Sequence, residues 1–582
     1  MSLHTYQRVS DGEHVFEGEN NDPPRLDSPT SKSWLKRPSI FWLLPVFLLF
    51  NLAMGATAMP RMNVITSLIC RNILTEGMET KLQSNDTLQP RHGGGMPSGS
   101  GNTSIAAGNY SASAIIIGDY NPQCALKEIE SATAMFNLLG NLVAGVIAAV
   151  TTPFWGKLSD HFGRVKPLAA ATTIMLASES VMVLVAKFPD VLPLGWVYLT
   201  FVLEGVSGSF ISIMALASSY AADCTKSDDR NVALGWFHGS MFFGMAVGPA
   251  FGGFLGMSAG KSNPMLVFYT GLAMRVLGIL LLAIVPESLH VQFEDRRSLW
   301  VQASQYLHKH SQGSWSEKLG RVNPIHLLAI LSPWNNNDDK SAQSNLLALA
   351  IINTIVFGAM MGAMNVMMVY SEFRFDWGNK ESGVFLSIVN VCRTLATVVV
   401  LPLVIMVSRR LSGSKSSSIR HINAAASINN TVGQIDRLDI FLLRISILSD
   451  TIGYIGYALS PTGALFTLSG AIASFGAIGL ATSEASMTKL LPPSRTGELL
   501  GALGFLQAMA RIIAPTVVGL TYSWTTESMP QLVFWGIAVC FGIAGLLTVA
   551  LKAGKAYLVS RGEEEGESME PLQAGKRYDD TD

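Results

Sequence analysis

The sequence predicts an all-α integral membrane protein, with twelve transmembrane helices in two six-helix bundles. Three observations carry that expectation. Only 14% of the 582 residues are charged, against about a quarter in a soluble domain. The apolar residues, 49% of the chain, gather into runs of about 20, the length that crosses a hydrocarbon core of roughly 30 Å. Six such runs, a polar stretch at 287–344 and six more runs then divide the chain in two.

In order, the runs begin near Phe41, Ala132, Leu168, Gly195, Ala233, Met265, Leu346, Ser382, Ile440, Ala464, Leu499 and Leu532. The first lies too far from the start, and is too long, for a cleavable signal peptide. The bundles are expected over 38–286 and 345–552, between polar tails at 1–37 and 553–582. Lysine and arginine set the orientation, because they collect in cytosolic loops. Lys157, Arg164, Lys166, Lys226 and Arg230 fall in short loops on one side, as do the basic residues of 287–344 and 409–437. The opposite loops hold little beyond Lys261, Arg374 and Lys380. Both termini are therefore expected in the cytosol, with the chain in the plasma membrane or in a vacuolar or other endomembrane. The formal net charge of −1 supplies no basic face for nucleic acid.

The loop at about 64–130 is expected outside. It carries three N-x-S/T sequons, at Asn85, Asn102 and Asn109, which are glycosylated only on the lumenal side. A fourth, at Asn429, falls in a cytosolic loop and is expected to be silent. Cys70 and Cys124 flank the external loop, and oxidation is favoured outside the cytosol, so they are expected to form a disulfide.

An internal repeat supports the division. Gly235 precedes Pro249 by fourteen residues, as Gly501 precedes Pro515, and Gly253 then matches Gly519. "DDRNVALG" before the fifth run faces "SRTGELLG" before the eleventh. Repeated bundles of this kind hold a substrate site near the midplane and rock about it. Transport is the leading functional expectation.

Two motifs make it specific. "GKLSDHFGRVK" fills the loop between the second and third runs, and Gly156, Leu158, Asp160, Gly163, Arg164 and Lys166 resemble the loop signature of the major facilitator superfamily. His161 stands where a basic residue is usual. A tight turn needs glycine, and a carboxylate at a helix end can accept charge-assisted hydrogen bonds from a neighbouring helix, which makes a latch that favours one conformation. In "GWFHGSMFFGMAVGPAFGG", Gly235, Gly244, Gly248, Pro249, Gly252 and Gly253 are similar to the fifth-helix motif of that superfamily's proton-coupled drug exporters. At about 100° per residue, Gly244, Gly248 and Gly252 share one side, while Gly235, Gly239 and Gly253 lie near the other. Such faces let helix backbones approach closely in lipid, so the stretch is expected to be a kinked packing surface at a seam that shifts. "YAADCTKSDDR" and "ILSDTIGYIGYALS" look like the tetracycline-efflux branch, the latter including Asp450. The segments 41–71 and 373–402 resemble a fungal branch near the folate/haem-type carriers. One departure matters: Phe201 stands where the drug exporters carry a fourth-helix arginine, so a role borrowed from that arginine does not transfer.

An ionisable side chain at mid-bilayer costs at least about 2.5–3.5 kcal/mol, and Glu204, Arg275, Arg393, Asp450, Glu484 and Arg511 lie inside runs. Glu204 and Asp450 are candidate proton carriers, each equally readable as half of a structural ion pair, and Glu484 is a further proton-coupling or substrate candidate. Arg393 and Arg511 are candidates to partner Asp450 or Glu484, or to hold an anionic substrate. Glu179 and Arg444 are placed nearer helix ends, where snorkelling explains them. Asn137, Asn141, Asn353, Asn365 and Asn390 are candidate cavity polar groups, and a methionine-rich seventh run offers a surface that adapts to varied ligands. "PES" at Pro286–Ser288 is set aside, because its continuation does not match the sugar-porter ending it suggests.

The expectation is thus a monomeric carrier that moves a small organic molecule by alternating access, driven by protons, more naturally outward than inward. It would touch membrane lipid and use no cofactor or metal. An importer of the folate/haem-carrier type remains open, as does a non-transporting receptor or scaffold. An enzyme is disfavoured: neither paired histidines at metal-ligand spacing nor a serine–histidine constellation is found.

Overall fold

The computed structural model describes residues 37–83, 127–256, 263–289, 328–331, 340–377, 379–412, 435–491 and 493–553, with Ile115, Ile117, Asn121 and Cys124 between the first two segments. The sequons at Asn85, Asn102, Asn109 and Asn429, both tails and most of the 287–344 stretch lie outside the described residues.

The first half runs α1 (Ile40–Gln83), α2 (Lys127–Phe162), α3 (Val165–Lys187), α4 (Trp196–Val206), α5 (Ser209–Cys224), α6 (Arg230–Gly256) and α7 (Pro264–Leu282). The second runs α8 (Lys340–Phe375), α9 (Asn379–Leu395), α10 (Leu401–Ser412), α11 (Arg437–Leu459), α12 (Gly463–Ala473), α13 (Ala477–Lys489), α14 (Thr496–Thr525) and α15 (Leu532–Leu547). Each expected run begins within six residues of a helix start, Leu346 against Lys340 being the widest gap. The pairs α4–α5, α9–α10 and α12–α13 are single spans with an internal irregularity. Counted so, eleven spans among the described residues are long and apolar enough to cross a membrane, and α11, with Arg444 and Asp450 inside its 23 residues, lies between two of them in order.

The irregularities have local causes. Between α4 and α5, Gly208 has φ +75° and Ser209 φ +58°, a left-handed pair in which Ser209 adopts a conformation uncommon outside glycine. Between α9 and α10, Pro402 offers no N–H to the carbonyl four residues back, and the helix widens into a π turn over Ala396–Val400.

The described chain starts and ends on one face of the bundle, the tail face, where α2 ends and α3 begins. The opposite face carries the Cys70–Cys124 disulfide, whose Cα atoms are 5.6 Å apart. On that side of the second half, Phe466 is fully buried and packs against Tyr370, Tyr457, Phe385 and Phe534 at ring-centroid distances of 4.5–5.9 Å, which stiffens α8, α9, α11, α12 and α15 as a unit. The two halves meet mainly on the tail side. In α14, Leu499–Gly504 are buried, whereas Ile513, Thr516, Val517 and Leu520 farther along are exposed.

Candidate functional site

The loop 156–166 forms a charged knot on the tail face. Asp160, in the last turn of α2, accepts the backbone N–H groups of Gly497 at 2.9 Å and Glu498 at 2.7 Å, at the start of α14. A carboxylate there meets unsatisfied donors and the positive end of a helix dipole. It therefore ties the first half to the second. Arg164, with no exposed surface, pairs with Asp160, donates to Ser159 Oγ at 2.9 Å and meets Asp223 of α5 at 2.7 Å. Burial works against its charge, but Asp223 and Asp160 outweigh burial and hold the guanidinium above its usual range. Glu287 accepts the N–H groups of Arg164 at 2.6 Å and Val165 at 3.1 Å. Gly163, with φ +88°, leaves room for that carboxyl, which a Cβ would meet at 2.6 Å. Gly156 packs directly on the backbone of Gly497, and Lys166 is exposed. "PES", set aside in the sequence, thus supplies Glu287 to the knot.

At mid-height Glu204 joins three elements. Its Oε2 meets Arg61 of α1 at 3.3 Å, and its Oε1 meets Arg511 of α14 at 3.3 Å. Ser209 donates to Glu204 at 3.1 Å and accepts from Arg511 at 2.6 Å. The left-handed turn at Ser209 is what brings its hydroxyl back to a carboxylate five residues earlier. Arg61 lies over the Phe201 ring and Arg511 over Phe210, each at 5.2 Å. Arg511 therefore partners Glu204 across the halves, rather than Asp450 or Glu484: the docking of α14 on α2 carries it into the first half. Glu179 corrects another expectation. It is buried well inside α3 and pairs with Arg275 at 3.2 Å, so it does not snorkel. Arg444 donates to the Thr548 carbonyl at 3.0 Å.

The second half carries its own polar centre. Asp450 is 6% exposed and shares a small cavity with Arg393, Tyr454, Met360 and Phe541. Its carboxyl sits on Gly476, where any side chain would overlap it. Arg393 lies over the Phe242 ring at 5.5 Å and also borders an adjoining space lined by Met245, Met360, Met361, Met364, Met367 and Met368. Asn390 lines that space too; its amide donates to Leu386 O, and its buried Oδ1 has no partner among the described residues. Asn137 and Asn141 bond carbonyls of their own helix, and the Asn365 side chain lies outside the described residues. Nearer the tail face, Glu484 of α13 meets His238 of α6 at 3.7 Å.

The α6 glycines serve two contacts. Gly244, Gly248 and Gly252 press on Asn51, Gly55 and Ala56 of α1 within the same half. Gly235 and Gly239 face Thr397, Val398 and Leu401 of the other half. Among the described residues Gly253 meets nothing within 4 Å, so it belongs to neither.

Residues 103–427 match the family model described as Major Facilitator Superfamily. The chain belongs to the Major Facilitator Superfamily. Its curated relatives include an MFS-type transporter, avaJ, of Aspergillus versicolor, 24% identical over 88% of this chain and 89% of the relative. The class B tetracycline resistance protein of Escherichia coli is 30% identical over 27% of this chain and 36% of that protein. Among solved structures, the human organic anion transporter MFSD10 matches 89% of this chain and all of its own, with a TM-score of 0.60 and 14% identity. This facilitator is thus a multi-pass membrane carrier working by alternating access, not an enzyme.

Sequence reasoning overlooked Arg61, Ser209, His238 and Glu287. Arg61 had a signal, since it follows Pro60 inside an apolar run. His238 also had one, as a basic side chain within a glycine-rich stretch. Ser209 and Glu287 act through a turn and a backbone contact that no local pattern announces.

Proposed function

We propose that this facilitator exports a small organic molecule in exchange for protons. The observation that carries the reading is Glu204, held by one arginine of its own half and one of the other. The motion of the halves changes the partners of this carboxylate, since Arg511 belongs to the other half, and that ties its proton binding to the motion. With both termini in the cytosol, the knot at Asp160 closes the cytosolic side, and the protein faces outward. Asp450 beside Arg393 is a second proton or substrate group, and the methionine-lined space suits an adaptable organic ligand. Exchange in the outward direction is supported by the names of relatives, a tetracycline resistance protein and a multidrug resistance protein of Bacillus subtilis among them.

The test compares metabolites in cells and medium with and without the protein, before and after the proton gradient is collapsed. A compound that gathers in the medium only while the gradient stands fits the reading. One that gathers inside the cells makes the protein an importer. With that compound in proteoliposomes, Glu204→Gln and Asp450→Asn are expected to lower proton-driven flux at least about tenfold. If both variants keep full flux, the coupling assignment fails.

A further inference from the structure

Two carboxylates stand at corresponding places in the two halves. Glu179 lies in α3 and Asp450 in α11, the third span of each half; both helices have 23 residues, and each acid falls just past the middle. Their partners differ. In the first half the sixth span, α7, supplies Arg275, which closes on Glu179 at 3.2 Å. In the second half the sixth span, α15, supplies Phe541 instead, and the cation comes from α9 as Arg393. Arg393 and Asp450 border one small cavity, yet among the described residues they form no ion pair and neither side chain has a hydrogen bond. A guanidinium and a carboxylate thus face the same space with their donors and acceptors unused.

The neighbouring wall indicates what kind of molecule would bring a polar head there. Met360, Met364 and Met367 of α8 fall at i, i+4 and i+7, on one face of the helix, and Met245 of α6 joins them around the adjoining space. Thioethers are soft and make favourable contacts with aromatic rings. Met360, Arg393 and Tyr454 border both spaces, so the polar pair lies at one end of the methionine wall. Asn390, one turn before Arg393 on α9, adds a buried Oδ1 with no donor among the described residues. An acceptor left so is costly, and a donor that reaches it is favoured.

We propose that the second half holds a ligand site for neutral amphipathic molecules, with an aromatic body on the methionines and a carboxamide-like head between Arg393 and Asp450. The head needs an acceptor and a donor on adjacent atoms. Its carbonyl oxygen accepts from the guanidinium, and its N–H groups donate to the Asp450 carboxylate or to Asn390 Oδ1. Charge decides against ions: a carboxylate gains Arg393 but meets Asp450, and an ammonium gains Asp450 but meets Arg393, where little water screens either. The pair in the first half, already closed, leaves no such gap. The assignment names the substrate class for the exporter reading above, and its role in transport rests on that reading, whereas binding does not.

The experiment uses the full chain in lipid nanodiscs and four probes that share one ring system: 2-naphthamide, 2-naphthoate, 2-naphthylmethylammonium and naphthalene. Equilibrium dialysis gives their dissociation constants, with empty nanodiscs subtracting uptake by lipid. The amide is expected to bind at least about tenfold tighter than each of the others, because a site built to hydrogen-bond a polar head rejects analogues that lack it. Asp450→Asn is expected to shift the ratio of naphthoate to naphthamide affinity at least about tenfold toward the anion. Arg393→Gln is expected to shift it as far toward the ammonium probe. Met364→Ala is expected to weaken naphthamide and naphthalene by the same factor, since it touches the body alone. A purely structural pair would leave the order of heads unchanged in every folded variant, and that result overturns the assignment. So does wild-type protein that binds all four probes equally, prefers the anion or takes up no more than empty nanodiscs. The wild-type series decides even where a variant fails to fold. Gradient-driven flux is read separately on the metabolite found above. Head selectivity together with flux indifferent to the gradient removes the exchange reading and leaves this site; gradient-driven flux that naphthamide does not inhibit, with no head selectivity, does the reverse.

Discussion

The contact between α1 and α6 should respond to a single methyl group. A Cβ on Gly248 would lie 2.6 Å from the Cα and carbonyl carbon of Gly55 and 2.8 Å from the nitrogen of Ala56. All three are backbone atoms, so no side chain can swing aside. Carbon atoms pack at about 3.5–4.0 Å, and Gly248→Ala must therefore push the two helices apart by about 1 Å. Overpacking of this kind costs about 1–3 kcal/mol. Gly253→Ala is the matched control, because it lies on the same helix and its Cβ would meet nothing within 4 Å among the described residues. Whatever alanine adds through helix propensity, the control adds too. Thermal unfolding of both variants in detergent is expected to show Gly248→Ala melting clearly below Gly253→Ala, with flux lowered only in the former. Gly248→Leu is expected to insert yet fail to transport. Equal melting and equal flux for the two alanine variants would refute the claim that this backbone contact is tight and matters to the motion.

Two other perturbations probe the ends of the molecule. Asp160→Asn removes the charge that two backbone donors of α14 and Arg164 share. Hydrogen bonds to charged groups contribute about 1.5–3 kcal/mol each, so labels across the tail face should report opening and flux should fall at least tenfold; an active, closed variant would point to a scaffold instead. Replacing Cys70 and Cys124 by serine opens a link 54 residues apart in sequence. The chain-entropy model sets a ceiling of about 4 kcal/mol for such a loop. The double variant is expected to melt earlier while transporting normally, and lost transport at unchanged melting temperature would contradict that.

The helices were legible because lipid leaves the backbone no alternative to them, so apolar length alone places each start. The knot was legible in outline, since a turn glycine and a carboxylate at a helix end have few roles. Which atoms Asp160 would meet was not, because Gly497 and Glu498 lie more than 330 residues away and present backbone rather than side chains. The partner of Arg511 was hidden for the same reason. It depends on how α14 lies on α2, and that is set by close backbone approaches such as Gly156 to Gly497. Glu179 was misplaced without need: even counted from Leu168 it falls mid-run, and in α3, Val165–Lys187, it lies well inside the span. His238 was obscured by its neighbourhood, where six glycines and a proline drew the reading toward packing alone.

The two bare faces of α6 touch the chain through main-chain atoms and a few aliphatic groups, whereas the methionine-lined space is built from side chains of α6, α8, α9 and α11. Bearing and lining are thus written largely on separate residues. A lineage can exchange the methionines, Asn390 or Arg393 for other groups and present a different chemical to the same moving parts. The reverse does not hold, since a glycine lost from α6 alters the stroke for every cargo. Diversification of such carriers is therefore expected to run through the cavity wall, with the axle held fixed.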